Sequence, residues 1–284
     1  MKVRELYNQT VSRIQQAGIP DASFEAELLL QYFLGIKRVD IYLARTEPTQ
    51  AELQEFDVIL KRRLAREPLA YITGEQEFWS LSFEVSPAVL IPRPETELLI
   101  EKVIGGISDP ANFAGRILDL GTGSGVIAVV LARELPQAEV ITVDKSGEAL
   151  DLARRNIRKH GVEGRVSLVN SDWFSSLRQE AEFDIIVSNP PYVSAQVRES
   201  LQPELEFEPG DALFAGDGGL GAYQIIIPQC RSFMKNDGSL LLEIGYDQAE
   251  IISGMIAAAP GLILSEIVND YAGLPRVAVV KAVD

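Results

Sequence analysis

Asn189-Pro190-Pro191-Tyr192 sets an amide side chain, carbonyls without neighbouring amide hydrogens and an aromatic ring at the end of an apolar β-branched run, Ile185-Ile-Val187. Neither proline can donate to a sheet ladder, so a strand must stop there. Asn189 precedes a proline and is held extended. The resulting elbow has the chemistry to grip a planar group bearing an NH2, such as an amide or an adenine. Taken alone, it is equally well a strand ended by a turn signal.

Three further groups stand at corresponding places. Gly121, Gly123 and Gly125, with Thr122 and Ser124 between them, follow an apolar run that ends at Leu120. Glycines there allow a tight strand-to-helix turn and close approach of a ligand to the backbone. Their Gly-x-Gly-x-Gly spacing is not the Gly-x-Gly-x-x-Gly of the dinucleotide fingerprint. Asp144, about 20 residues further on, suits a pair of ribose hydroxyls, or else caps the next helix. Asp172 can accept from an adenine amino group and Trp173 can pack on the ring, although Trp173 also reads as core.

The elements that must carry these residues alternate. Strands are expected at 116–120, 139–143, 165–170, 184–188, 239–244, 262–269 and 276–282, with helices at 124–134, 147–160, 219–234 and 248–258. Such alternation predicts a parallel sheet covered on both faces. The last two strands lack a crossover helix between them and are expected to be antiparallel. Four successive strands then present polar or glycine residues at their carboxyl ends, where open α/β sheets bind ligands. Together these describe an adenosine-containing cofactor beside an amide-gripping elbow.

The amino-terminal part reads differently. Apolar periodicity predicts helices over residues 2–17, from Asp21 or Ser23 to Gly35, over 39–44 and from Thr49 to about residue 66. Lys61, Arg62, Arg63 and Arg66 read as a solvated basic face, and 68–74 as a loop. A β-hairpin is expected from strands 77–80 and 81–85, then a proline-punctuated linker and a helix over 95–104. This divides the chain into a helical domain (1–74), a hairpin linker with lead-in helix (75–110) and an α/β domain (111–284).

Composition narrows the function. The net charge of −15 argues against a protein that grips nucleic acid by its phosphates. Residues 1–75 are nearly charge-balanced, so the acidity lies in the larger domain and suits a basic partner surface. One His, His160, and one Cys, Cys230, exclude a His/Cys metal cluster, and no metal is expected. The single cysteine fits a reducing compartment. The sequence shows neither a signal peptide nor a membrane-spanning run, so a cytoplasmic protein with no membrane partner is expected.

The motifs Ile91-Pro-Arg-Pro-Glu-Thr-Glu97, Asp119 to Gly125, Ser171-Asp-Trp-Phe174, Asn189 to Tyr192, and Phe207-Glu-Pro209 with Ala212-Leu213 occur in order. In this arrangement the chain resembles the release-factor glutamine methyltransferase family, of the PrmC/HemK type, over essentially its whole length. The resemblance implies a class I S-adenosylmethionine (SAM) methyltransferase fold, Rossmann-like, with a seven-stranded mostly parallel sheet behind a small helical domain. It implies N5-methylation of the glutamine in the Gly-Gly-Gln motif of peptide chain release factors 1 and 2, with S-adenosylhomocysteine as product. Carried over, Gly121 to Gly125, Asp144, Asp172, Trp173 and Asn189 contact SAM, and Asn189, Pro190, Pro191 and Tyr192 hold the glutamine. The Asn189 oxygen and the Pro190 carbonyl are expected to accept the two amide hydrogens, with Tyr192 on the amide plane and no evident general base. The helical domain is expected to dock the protein substrate.

A nucleic-acid adenine N6-methyltransferase would use the same elbow, but would be expected to carry a basic groove. A dehydrogenase would need the other glycine spacing. A non-catalytic SAM sensor gives no reason for residues 189–192.

Overall fold

The computed structural model describes residues 1–43, 47–180 and 182–283. Its contacts divide into two compact units, Met1–Glu75 with Gln202–Phe207, and Gln76–Leu201 with Glu208–Asp284.

The first unit is helical: α1 (Val3–Gln16), α2 (Ala22–Leu34), α3 (Arg38–Leu43), α4 (Gln50–Leu64) and α5 (Leu69–Thr73). In α1 the buried residues Val3, Leu6, Tyr7, Thr10 and Ile14 recur at helical spacing and form one apolar stripe. Thr49 caps α4 in a reciprocal box with Glu52. Two expectations are corrected here. Residues 69–73 form a helical turn rather than a loop. Pro68 and Gly74, which suggested a loop, are its boundary residues, with Gly74 left-handed at φ 74°. The basic cluster is a solvated face only at Lys61 and Arg62, which are exposed. Arg63 is buried and pairs with Glu25 and Glu204, Arg66 also pairs with Glu204, and Lys61 and Arg62 pair with Asp57 and Glu67. Ala44, the last residue of the expected third helix, lies outside the described residues.

The second unit begins with a hairpin, β1 (Glu75–Phe78) and β2 (Leu81–Glu84). Trp79 and Ser80, expected in the strands, make its two-residue turn with φ of 54° and 57°. Both central residues lie in the left-handed region, the geometry that matches strand twist in tight hairpins. Carboxylates hold it: Glu97 accepts from the Trp79 amide and Glu77 from the Ser80 amide, each at 2.7 Å.

There follow α6 (Glu95–Gly105), β3 (Arg116–Leu120), α7 (Val126–Glu134), β4 (Glu139–Asp144), α8 (Gly147–Lys159), β5 (Val166–Asn170) and β6 (Phe183–Ser188). Beyond the elbow lie β7 (Val193–Ser194), α9 (Gly210–Leu213), β8 (Phe214–Ala215) and a distorted turn α10 (Gly216–Gly219). The chain closes with α11 (Gly221–Cys230), β9 (Met234–Glu243), α12 (Ala249–Ala258), β10 (Leu262–Asn269) and β11 (Pro275–Ala282). The expected helix 219–234 is thus shorter, because the chain turns at 231–233 to enter β9.

Seven strands form one sheet in the order β10-β11-β9-β6-β3-β4-β5. β9, β6, β3, β4 and β5 are parallel to one another, while β11 runs antiparallel to both neighbours. Side chains alternate between two cores. Ile117, Ile185, Val187 and Leu241 pack with residues of α6, α7 and α8, and Leu118, Leu120, Ile186, Leu240 and Leu242 with residues of α11 and α12. This is the doubly covered, mostly parallel sheet that the alternation implied. No helix among the described residues is long and apolar enough to cross a membrane.

Candidate active site

The carboxyl ends of β3, β4, β5 and β6 open into a cavity of about 550 Å³, within the usual range for a small-molecule site. Its walls include Gly121 to Ser124, Asp144, Asp172, Trp173, Asn189 and Pro191. The sheet therefore gathers residues that lie far apart in sequence. Gly125, Pro190 and Tyr192 are not among the walls.

Hydroxyls and carboxylates tie the glycine loop to the strands beside it. Gly121 and Gly123 have φ of 89° and 52°, a region open to glycine at little steric cost. Thr122 Oγ1 meets Thr142 Oγ1 at 2.6 Å, and Thr142 donates to Asp119 Oδ2 at 2.7 Å. Asp119 is fully buried, and burial pushes its carboxyl up to about 7 against the opposing Thr142 hydrogen bond. Asp144 accepts from the amides of Gly123 and Ser146 at 2.9 Å each, so it both fixes the loop and shapes the entry to α8. Asn156 of α8 donates to the Ser124 carbonyl at 2.8 Å. Gly125 is a packing residue: a Cβ there would lie 3.2 Å from that of Ala153. The close approach of α8 accounts for the glycine there.

Trp173 lies between the second core, against which it packs, and the cavity, which it lines. Its backbone is left-handed, with φ 51°, and Ser171 Oγ donates to its carbonyl at 2.8 Å.

The elbow lies against the glycine loop: a Cβ on Gly121 would stand 3.9 Å from the Asn189 carbonyl oxygen. Asn189 Nδ2 donates to Thr96 Oγ1 at 2.9 Å, and Thr96 donates to Glu243 Oε2 at 2.8 Å. The Tyr192 ring packs on the second core, and its hydroxyl donates to Glu243 Oε1 at 3.2 Å. Burial, and then the Glu243 charge, push the Tyr192 hydroxyl well above its ordinary value. Pro190 is buried. Gln248 donates to the Tyr192 carbonyl at 3.1 Å and fixes the exit from the elbow.

Buried Glu208 accepts from the Ile91 amide and from Arg93, a cavity residue. Asp144, Glu148, Asp172 and Asp211 outnumber the cations Arg93 and Lys145 around the walls. That balance favours a positively charged ligand group.

Sequence reading missed Thr96, Asn156, Glu243 and Gln248. Thr96 sits inside the 91–97 motif, where nothing local sets it apart from its neighbours. The other three carry no local signal, because their partners are brought to them by the sheet.

Residues 5–74 match the PrmC N-terminal domain family and residues 95–211 the methyltransferase small domain family. The release factor glutamine methyltransferase of Geobacter sulfurreducens is 41% identical over 257 residues, 90% of this chain and 88% of that protein. That of Escherichia coli K12 is 39% identical over 278 residues, 98% of both chains. The chain belongs to the release factor glutamine methyltransferase family. Among solved structures, the hMettl16 catalytic domain matches with a TM-score of 0.55 and 16% identity, over 82% of this chain and 81% of that one. That likeness shows the fold alone, the class I methyltransferase sheet. The cavity lies at the strand ends, where open α/β sheets bind their ligands.

Proposed function

We propose that the protein transfers the methyl group of SAM to the side-chain amide nitrogen, N5, of the glutamine in the Gly-Gly-Gln motif of peptide chain release factors 1 and 2, releasing S-adenosylhomocysteine. The observation that carries this reading is Asn189, an amide with its nitrogen committed to Thr96, standing in the wall next to the glycine loop.

The residues present fit SAM. A Cβ on Gly123 would meet nothing within 4 Å, so that residue is glycine for its backbone angle and leaves room for a ligand. The acidic walls suit a sulfonium. In this reading Gly121 to Ser124 carry the main chain that meets the ligand. Asp144 takes the ribose hydroxyls, and Asp172 and Trp173 take the adenine. When bound, SAM supplies an electrophilic methyl group on a cationic sulfur.

An amide nitrogen is a poor nucleophile, because its lone pair is delocalised into the carbonyl. The protein's task is therefore orientation, which contributes on the order of 7–11 kcal/mol at best. Asn189 Oδ1 and the Pro190 carbonyl accept the two N–H groups of the glutamine and fix its plane, while Pro191 and Tyr192 shape the elbow around it. As the nitrogen gains positive character these acceptors hold it more strongly than in the ground state. The proton leaves after transfer, without a dedicated base.

The helical domain, 1–74, docks the release factor in this proposal, and exposed Phe24, Tyr32 and Val58 supply apolar contact area there. The overall acidity favours a basic protein surface over a nucleic acid, and the reaction belongs in the cytoplasm with the translation machinery. Mass spectrometry of a purified release factor treated with enzyme and SAM tests the reading. One added methyl on the glutamine of Gly-Gly-Gln is expected. Methylation of adenine in DNA or rRNA, with the release factor unmodified, would overturn it.

A further inference from the structure

Glu243 ends β9 and is fully buried. A carboxylate taken out of water needs hydrogen-bond partners to remain charged. It has two on its side chain: Thr96 donates to Oε2 at 2.8 Å and Tyr192 donates to Oε1 at 3.2 Å. Thr96 Oγ1 in turn accepts from Asn189 Nδ2 at 2.9 Å. A threonine hydroxyl has one proton. With Glu243 ionised, and so acceptor-only, that proton is committed to Oε2. Thr96 can then only accept from Asn189, which admits the NH2 branch of the amide and excludes the oxygen branch.

We propose that Glu243 is a positioning residue for the methyl acceptor. Its carboxylate, acting through the Thr96 hydroxyl, fixes the Asn189 amide so that Oδ1 is the branch offered to the incoming nitrogen, and its second oxygen anchors Tyr192 at the far end of the same elbow. The inference rests on the reading of Asn189 as the acceptor clamp.

The chain of donors has a direction, and protonation of Glu243 removes it. A carboxylic acid can donate to Thr96, which frees the threonine proton for Asn189 Oδ1 and lets the amide turn over. The NH2 group then faces the N–H groups of the acceptor, donor against donor. The groups facing Glu243 are Thr96 and Glu95 of α6, Tyr192 of the elbow and Arg276 of β11, which is itself paired with Asp270. Tyr223 of α11 donates to the Glu243 main-chain oxygen at 2.9 Å. Burial dominates and pushes the carboxyl up to about 7, against Thr96, Arg276 and Tyr192 and with Glu95. The directed state is therefore the one above about pH 7.

The test is the pH dependence of methyl transfer from labelled SAM to a purified release factor, with SAM affinity measured separately by calorimetry. The wild type should show kcat rising with pH through about 7. Glu243→Gln should flatten that limb and lower kcat by about tenfold or more, with SAM affinity within about threefold. Thr96→Val should lose activity similarly, and Thr96→Ser, which keeps the hydroxyl, should restore most of it. An unchanged pH limb in Glu243→Gln, or equal rates for Thr96→Val and Thr96→Ser, would overturn the proposal. The threonine pair decides the matter even if Glu243→Gln does not fold. Asn189→Ala separates the two layers of the argument. Normal turnover by that variant would sink the clamp and the relay together. Lost turnover there, with Glu243→Gln and Thr96→Val unimpaired, would sink the relay alone.

Discussion

Asp144 Oδ2 accepts a hydrogen bond from the Gly123 amide at 2.9 Å, so the carboxylate ending β4 holds the loop that follows β3. Its other oxygen accepts from the Ser146 amide. Asp144→Asn must turn an NH2 toward one of these two amide donors. Hydrogen bonds to charged groups contribute roughly 1.5–3 kcal/mol, so SAM affinity is expected to fall about 10- to 100-fold. Calorimetric titration with SAM checks this, and an unchanged dissociation constant would show that the loop does not depend on Asp144.

Gly219 is required by the elbow. Its φ is 98°, and a Cβ there would lie 2.5 Å from the Tyr192 carbonyl oxygen and 3.0 Å from Gln248 Nε2. Gly219→Ala is expected to lower stability by about 2 kcal/mol or more and to lower turnover with it. Gly216→Ala, where a Cβ meets nothing within 4 Å, is the control and should behave nearly as wild type in thermal unfolding and in methyl transfer.

Arg63 holds the helical unit through a buried ion network. Its guanidinium donates to Glu25 at 2.5 and 2.9 Å and to Glu204 at 3.0 Å. Removing it takes the cation from Glu25 and leaves Glu204 with Arg66 alone; breaking a buried pair costs about 3–5 kcal/mol. Arg63→Ala should therefore shift the denaturant midpoint of the helical unit, followed by limited proteolysis within residues 1–75. Arg62→Ala, at a more exposed pair, should cost about 1 kcal/mol or less.

Glu243 also makes stability depend on pH, with a sign opposite to that of an exposed paired carboxylate. Its carboxyl is raised from 4.5 to about 7 by burial. Between those values the folded protein holds a proton that the unfolded chain has released. Stability therefore falls as pH rises through that window, and the loss is complete above about 7. The shift corresponds to roughly 3 kcal/mol as an order of magnitude. Glu243→Gln removes this titration, so its Tm relative to wild type should be higher at about pH 8 than at about pH 5. A difference independent of pH would contradict the buried charge.

The legible and the hidden parts of the sequence divide along physical lines. Strand ends marked by glycine or proline were readable, because Gly121, Pro190 and Pro191 impose backbone geometry locally. So was the placement of Asp144 and Trp173, which follow β-branched runs at fixed distances. Contacts made by the assembled sheet were not. Thr96 and Asn189 are 93 residues apart, and no local pattern pairs them. Gly125 looked like its two neighbours in the loop, yet it serves helix packing, which only the path of α8 reveals. Trp79 has strong strand propensity, and the Glu97 and Glu134 carboxylates that hold it in a turn are distant in sequence. Arg63 looked like one of four surface cations until the fold brought Glu25 and Glu204 to it.

The central claim is that Asn189 clamps the accepting amide beside the methyl donor. Single-turnover transfer of labelled methyl from SAM to a release factor by Asn189→Ala, at saturating SAM and with the fold checked by thermal unfolding, tests it most directly. A rate lower by about 100-fold or more, with the fold intact, is the expected result. Transfer within about threefold of wild type would contradict it.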